Sequence, residues 1–444
     1  MPHLPSACEA SRQVRSGELD PVDLVEQCLA AVDRYDESIR AWVGVSRVVA
    51  LRHAERIASA RARGKDLGPL GGVPIGIKDI IDVAGLPTRA GYPLRGDRAA
   101  PVDAVLVTRL RRAGAIVLGK TVTTQFACFD PSPTRNPWDP ELRHSPGGSS
   151  SGSAAAVAAG MSPVTIGTQT GGSLVRPSSY CGVAAMKPTF GTVPIDGIVP
   201  VAHRLDHPGP IARTVEDLHL ILGVISDLPV EELLEPALPP RLGLVGDFYM
   251  TAAEPRVRQA VEAALDKLCF AEATLEEVAL PPSFREVHRM HGRIMAVEAA
   301  AYHRAQFLEQ RDSYGPNLRS MLEEGIATTV PEYEEAIVHQ RRFRREIQPM
   351  LVAVDALVMP ATDTTAPARL DTTGPSKFQA PWSYAGAPVV SIPCGLAEDG
   401  MPVALQLVGR SGEDFQLLRT ARWCERQIEF AARPPLARKE NEPR

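Results

Sequence analysis

The sequence lacks the features that mark membrane, secreted, metal-binding and nucleic-acid-binding proteins. It contains no run of 18 apolar residues, which predicts no membrane-spanning helix, and residues 1–17 lack the apolar core of a signal peptide. Its seven cysteines lie far apart and form no C-x-x-C pair, so neither a disulfide framework nor a zinc site is expected. The net charge is −5 and the basic residues are scattered, which leaves no footprint for nucleic acid or an anionic membrane. We therefore expect a cytoplasmic protein with reduced thiols.

What is present is the composition of a globular protein, with 44% hydrophobic and 23% charged residues. Helical and strand-like apolar segments alternate along the chain, which predicts an α/β fold. The first predicted helix has Asp20 as its N-cap, Pro21 at its first position and an apolar face over residues 22–32. The other predicted helices are 46–63, 102–113, 152–160 and 413–430, with further helices between 250 and 350. The predicted buried strands are a short one ending at Lys78, and 115–118, 164–168, 352–359, 389–392 and 403–408.

No repeat and no linker divides the sequence. We expect a helical segment over residues 1–65 that packs on the core, a main domain over residues 66–430, and a polar, disordered tail over residues 431–444. The stretch 143–209 is rich in Gly, Ser and Pro, a composition that is usual in linkers. Its apolar insertions, such as SAAAVAAG, indicate tight backbone packing instead.

One short motif, GAIVLGKT from Gly114 to Thr121, matches a phosphate-binding loop. Such a loop needs a strand before its first glycine and an accessible backbone between the glycines. Here the four residues between the glycines are apolar and form the predicted strand itself, and a helix precedes them. Nucleotide binding is therefore not predicted.

A second short motif, GSSSG from Gly148 to Gly152, matches the nucleophile elbow of α/β-hydrolases, with Ser150 as the nucleophile. That elbow follows a strand, whereas the preceding residues 137–146 contain three prolines. Such enzymes also need a later histidine, and the last one is His339, so the C-terminal residues after it offer no candidate base. A His-based hydrolase using Ser150 stays an alternative.

A much longer pattern covers the glycine- and serine-rich region. Residues 145–160 read SPGGSSSGSAAAVAAG, residues 166–173 read IGTQTGGS and residues 181–191 read CGVAAMKPTFG. Upstream lies GVPIGIKD at 72–79, and downstream lie DHPGPIARTVED at 206–217, PAT at 360–362, APVVSIP at 387–393 and PVALQLVG at 402–409. In this order, and over nearly the whole chain, these segments resemble the amidase signature family.

The resemblance implies a serine hydrolase that breaks a C–N bond with a Ser–Ser–Lys triad. The matching motifs make Ser173 the nucleophile that forms the acyl-enzyme, Ser149 the bridging serine held by a cis peptide bond, and Lys78 the base. A lysine base must be neutral near pH 7, and the apolar residues around Lys78 suit this because burial lowers a lysine pKa. The expected oxyanion hole is formed by the backbone N–H groups of Thr170, Gly171, Gly172 and Ser173.

The resemblance also implies a single α/β domain with a large, mixed, twisted sheet flanked by helices on both sides. Residues 66–430 would form this catalytic domain. It implies no metal and no cofactor. The expected substrate is a small-molecule amide or carbamate (urethane), and esterase side activity is also expected. Dimers are common in the family, so a homodimer is an expected state. The substrate pocket is expected to include Ala127, Cys128, Phe129 and Gln169.

Some positions depart from the commonest pattern of the family. Gln169 stands where Asp is usual, and Val175 stands where Arg is usual, with an arginine one step later at Arg176. The segment GKTVTTQFA at 119–127 also departs from the branch that contains the amidase subunit of glutamyl-tRNA amidotransferase. We therefore predict an amidase that acts alone. The alternative is an amidotransferase A-type subunit that is inert without its partners.

Overall fold

A computed structural model describes residues 4–234, 236 and 238–437. These residues form fourteen α-helices and one eleven-stranded sheet. The helices are α1 (Ala7–Ser16), α2 (Pro21–Ile39), α3 (Arg47–Ala62), α4 (Val105–Arg112), α5 (Ser151–Ala158), α6 (Val175–Cys181), α7 (Val215–Ile225), α8 (Pro255–Phe270), α9 (Val287–Gln310), α10 (Pro316–Ala327), α11 (Val330–Glu346), α12 (Gln348–Ala353), α13 (Ala380–Ala385) and α14 (Asp414–Ile428). The strands are β1 (Trp42–Val45), β2 (Pro74–Lys78), β3 (Ile116–Thr121), β4 (Val164–Gln169), β5 (Ala184–Lys187), β6 (His207–Ala212), β7 (Arg241–Leu244), β8 (Thr274–Glu277), β9 (Ala356–Pro360), β10 (Val389–Leu396) and β11 (Pro402–Val408).

The sheet has the strand order β1-β3-β2-β4-β6-β5-β10-β11-β9-β7-β8. The pairs β3–β2, β2–β4, β9–β7 and β7–β8 are parallel. The remaining pairs are antiparallel. This mixed sheet flanked by helices confirms the predicted fold class. Because β2 and β4 are parallel neighbours, their carboxyl ends meet at the same edge of the sheet.

The core lies along the middle of the sheet. Strands β2, β3, β4 and β6 are buried over their full length, as near-continuous apolar runs are when other elements cover both faces. One apolar cluster joins Leu24 and Cys28 of α2 to the strands and to Leu418 of α14. Within the described ranges, no helix combines the length and the apolar character that a bilayer crossing needs.

In the N-terminal residues, the start of α2 was predicted and the strand β1 was not. As predicted, α2 starts at Pro21, and the Oδ1 atom of Asp20 accepts a hydrogen bond of 2.9 Å from the N–H of Val22. The helical segment expected over residues 1–65 contains α1, α2 and α3, but the prediction missed β1, which pairs antiparallel with β3 at the sheet edge. This strand has only four residues and a register irregularity after Trp42, so it leaves little periodic signal.

Two predicted boundaries are also wrong. The helix predicted at 102–113 begins at Val105. The N–H of Ala104 donates to the carbonyl of Asp82 at 2.9 Å, and the carboxylate of Asp103 accepts a 2.7 Å hydrogen bond from the N–H of Ala84, so both residues are held outside the helix. The strand predicted at 352–359 is Ala356–Pro360, because residues 352 and 353 complete α12. Of the predicted disordered tail, residues 431–437 are described and end in a 3₁₀ turn, Pro435–Ala437, while residues 438–444 lie outside the described residues.

Candidate active site

The three residues of the predicted triad meet at the carboxyl edge of β2 and β4. Lys78 is the last residue of β2, and the loop 170–173 leaves the end of β4 and leads into α6. Ser149 lies just before α5, which is tied to β4 by a 3.0 Å hydrogen bond from the Thr165 hydroxyl to the carbonyl of Ser153. Parallel pairing of β2 with β4 therefore brings segments that are far apart in the sequence to one place.

Lys78 and Ser149 are joined directly. The Nζ atom of Lys78 donates to the Oγ atom of Ser149 at 2.7 Å and to the Oγ1 atom of Thr168 at 2.8 Å. Burial of the Lys78 side chain lowers its pKa to about 7, because a charged ammonium loses its hydration there. The peptide bond between Gly148 and Ser149 is cis, as the family resemblance implies. Lys78 can therefore exchange a proton with Ser149 near neutral pH.

Ser173 lies next to this pair and opens to a cavity. The N–H of Ser150 donates to the carbonyl of Ser173 at 3.3 Å, so the two serine segments run side by side. Ser173 is 9% exposed and is part of the cavity wall. Among the hydrogen bonds of the described residues, none joins the Oγ atoms of Ser149 and Ser173. The structure thus brings the three segments together and directly links the side chains of Lys78 and Ser149.

The loop before α6 has free N–H groups. In the described part of the chain, the backbone N–H groups of Gly171, Gly172 and Ser173 donate to no protein acceptor. Two carbonyl groups of the loop are fixed by hydrogen bonds. The Ser383 hydroxyl donates to the carbonyl of Gly171 at 2.9 Å, and the N–H of Arg176 donates to the carbonyl of Gly172 at 2.9 Å. Free, fixed N–H donors are what an oxyanion hole requires.

A buried carboxylate holds the start of this loop. Asp206 accepts hydrogen bonds from the hydroxyl of Thr170 at 2.5 Å and from the N–H groups of Val201 and Ala202 at 2.9 and 3.1 Å. Burial raises the pKa of Asp206 to about 6. These bonds hold the Asp206 carboxylate in place, and Asp206 in turn fixes the Thr170 hydroxyl.

The cavity beside Ser173 has a volume of about 330 Å³. Ala127, Cys128 and Phe129 line it, as do Thr170, Gly171 and Gly172, so these predicted site residues are brought together. Further lining residues come from α9 and from the segment leading into α13: His288, His291, Gly292, Met295, Pro375, Ser376, Lys377 and Ala380. A larger groove of about 1520 Å³ lies between α1, α2 and the C-terminal residues, and none of the triad residues lines it.

Gln169 does not line the cavity, so its predicted place in the substrate pocket is wrong. The Oε1 atom of Gln169 accepts hydrogen bonds from the N–H groups of Leu174 and Val175 at 2.9 and 3.0 Å, and its Nε2 atom donates to Ser383 at 3.0 Å. Successive side chains of a strand point to opposite faces, and Thr168 already faces Lys78. Gln169 therefore faces the N-terminus of α6 and positions the loop.

Ser150 and Lys120, from the two short motifs, have structural partners. Ser150 is fully buried, and its Oγ atom bonds to the carbonyl and the N–H of Thr168 at 3.2 and 3.3 Å. The segment that matches a phosphate loop contains β3, and the Nζ atom of Lys120 forms a 3.0 Å ion pair with Asp79. Ser150 and Lys120 are thus held by the protein itself.

Sequence reasoning missed several residues of the site. Thr168 and Asp206 lie inside the motifs quoted above, beside the residues that those motifs assign to the site. His288, His291 and Lys377 lie in a region that reads only as charged helix and loop. No motif marks them, because their role depends on which cavity wall they reach.

The sequence and the fold are similar to those of known proteins. Residues 23–418 match the model of the Amidase family. The A-type subunit of the glutamyl-tRNA(Gln) amidotransferase from Chloroflexus aggregans is 33% identical over 488 aligned positions, covering 98% of this chain and 99% of that protein. Among solved structures, a vestigial protein complex related to the origins of an s-triazine catabolic enzyme gives a TM-score of 0.89 at 31% identity, over 97% of this chain and 100% of that one. The peptide amidase of Stenotrophomonas maltophilia gives 0.84 at 31% identity, over 97% and 98% of the two chains. The chain therefore belongs to the Amidase family, whose sequence mark is the amidase signature.

Proposed function

We propose that this protein is an amidase that hydrolyses a C–N bond through an acyl-enzyme on Ser173, with Lys78 and Ser149 as its proton relay. The observation that carries the proposal is the 2.7 Å contact between the Nζ atom of a buried Lys78 and the Oγ atom of Ser149. The lowered pKa of Lys78, about 7, supports a neutral amine that accepts a proton.

In the first half of the reaction, the Oγ atom of Ser173 attacks the carbonyl carbon and its proton passes to Ser149, whose own proton passes to Lys78. This step requires the two serine hydroxyls to come within hydrogen-bond reach once substrate is bound. The N–H groups of Gly171, Gly172 and Ser173 stabilise the oxyanion. The relay then returns the proton to the leaving nitrogen, and the C–N bond breaks.

In the second half, water attacks the ester carbon of the acyl-enzyme. The same relay takes a proton from this water and returns one to the Oγ atom of Ser173, which releases a carboxylic acid. A carbamate or an activated ester presents the same carbonyl to the same nucleophile and oxyanion hole. We therefore extend the proposal to carbamates and to esterase side activity.

A second candidate function is that of an amidotransferase subunit. It is favoured by the relatives of that name, at 31–33% identity over almost the full chain. On this alternative, the same triad releases ammonia from glutamine only when partner subunits are present. We prefer the independent amidase because Gln169 and the segment 119–127 depart from the pattern of that branch.

The test uses the purified chain alone with a simple anilide and a primary amide. We expect measurable hydrolysis, its loss in Ser173→Ala, and retention in Ser150→Ala, a matched change of the neighbouring buried serine. A fluorophosphonate should label Ser173. Labelling at Ser150 would support the His-based alternative, and activity that appears only with glutamine and partner subunits would support the amidotransferase.

A further inference from the structure

Part of the cavity lining follows a strained stretch of backbone. Phe126 and Ala127 have φ angles of 48° and 59°, in the left-handed region that residues with a Cβ atom rarely adopt. Such a conformation persists only where the surrounding structure enforces it. Ala127, Cys128 and Phe129, which we call the wall segment, line the cavity beside Ser173. The contacts that hold this segment therefore bear on the shape of the substrate site.

Gln125, just before the strained residues, is bonded to the connection between α9 and α10. Its Nε2 atom donates to the carbonyl of Ser313 at 3.0 Å, and its Oε1 atom accepts from the N–H of Gly315 at 2.7 Å. A side-chain amide offers both a donor and an acceptor, whereas a carboxylate of the same size offers acceptors alone. The ring of Phe126 packs against His303 of α9, with the centroids 4.4 Å apart. The start of the wall segment is thus fastened to the helix pair.

Asp130, just after the wall segment, caps α10. This helix begins behind Gly315, which has no side chain to cap it. The carboxylate of Asp130 accepts hydrogen bonds from the N–H groups of Asn317 and Leu318 at 3.1 and 2.9 Å, and from the Asn317 side chain at 3.0 Å. Any residue can adopt the φ of −59° at Gly315, but a Cβ atom there would lie 2.4 Å from the carboxyl carbon of Asp130. The glycine thus makes room for a cap that comes from the cavity lining.

Helix α9 lines the same cavity. His288 and His291 belong to the lining, and the His291 ring donates to the carbonyl of Thr170 at 3.0 Å. Gln125 and Asp130, which we call the clamp residues, join the wall segment to the end of this helix and to the start of the next. Two parts of the cavity lining are therefore connected through one helix pair, so a shift of the wall segment would change the width of the cavity.

We propose that Gln125 and Asp130 are positioning residues that hold an apolar wall against the acyl chain of the substrate and so set the preference for chains longer than acetyl. This inference rests on the proposed amidase function and adds a specificity device to it. The wall segment offers alanine, cysteine and phenylalanine side chains, and the volume of about 330 Å³ admits a chain of several carbons. When a clamp residue is lost, the wall segment must be ordered at the expense of substrate binding.

A series of acyl anilides tests the proposal: acetanilide, butyranilide and hexananilide. For the wild type, kcat/KM should rise along the series by up to about fourfold for each methylene group buried against the wall segment. In Gln125→Glu and Asp130→Ala, the ratio of kcat/KM for hexananilide to that for acetanilide should fall at least about tenfold, mostly through KM. Asp130→Asn can still cap α10 and should keep most of the wild-type ratio. Asp312→Ala, at an exposed carboxylate of the same connection, is the control and should leave the ratio unchanged.

Alkylation of Cys128 reports on the wall segment without any turnover. The residue is 6% exposed, so iodoacetamide should modify it slowly in the wild type. Mass spectrometry of the peptides should show at least about tenfold faster modification in Gln125→Glu and Asp130→Ala. Cys28 and Cys424, which are fully buried, should stay unmodified in every variant if the fold is intact.

Three results would overturn the proposal. They are an unchanged ratio in both clamp variants, faster alkylation of Cys128 with an unchanged ratio, and alkylation of Cys28 and Cys424 together with Cys128, which would show that the clamp residues act through overall stability. Failure of the wild type to hydrolyse any amide would count against the amidase function. Calorimetry with the same anilides then decides the role of the clamp residues: a selective loss of affinity for hexananilide supports it, and equal affinities in all variants overturn it.

Discussion

The lysine base predicts a specific dependence of acylation on pH. The Nζ atom of Lys78 must be neutral to take the proton of Ser149, and burial lowers its pKa from 10.5 to about 7. An ordinary lysine would be neutral in about one molecule in three thousand at pH 7, whereas Lys78 is neutral in about half. The fraction of neutral Lys78 rises from about 0.1 at pH 6 to about 0.9 at pH 8.

We therefore expect the single-turnover rate of acylation by an anilide to rise about tenfold between pH 6 and pH 8 and to level off above about pH 8.5. The assay follows release of the aniline by stopped flow. Lys78→Ala should abolish cleavage of the anilide, while activated esters should be spared in part, because a good leaving group needs no proton from the relay. Lys65→Ala, at an exposed lysine, is the control and should behave as the wild type.

Two results would refute this reasoning. One is ordinary anilide turnover by folded Lys78→Ala, since no other group is assigned as the base. The other is a rate that continues to rise beyond about pH 9, because the pKa would then be close to that of an ordinary lysine.

Three further predictions concern the surroundings of the triad. Thr168→Val removes the 2.8 Å partner of the Lys78 Nζ atom and should lower kcat about tenfold with little change in KM, while Thr168→Ser should retain activity. Lys78→Met should unfold at higher urea concentration than the wild type at pH 7. The gap should shrink as pH approaches about 10, because the folded pKa lies below the unfolded one and the stability of the wild type rises with pH in that window. His291→Asn should keep measurable turnover, because burial lowers the pKa of His291 to about 4, so the ring stays neutral near pH 7 and is a weak base; inactivity as complete as in Ser173→Ala would contradict the Ser–Ser–Lys assignment.

The elements predicted well are those with a strong local signal. The cap and proline at residues 20 and 21 start α2, and the apolar runs of β4 and β11 appear close to their predicted positions. The strand β1 was missed because a strand of four residues at a sheet edge is defined by its partner β3 rather than by its own pattern. The early start predicted for α4 failed because the bonds that hold residues 103 and 104 come from residues 82 and 84.

The sequence by itself determined the family and named Lys78, Ser149 and Ser173 as candidates, because each lies within a long ordered motif whose residue types suit the chemistry. Only the tertiary structure decided how they meet. Lys78 and Ser149 are 71 positions apart, and their 2.7 Å contact depends on the parallel pairing of β2 with β4. The alternation of side chains along β4 turns Gln169 away from the cavity and toward the N-terminus of α6, since the pairing of the strand decides which face is which.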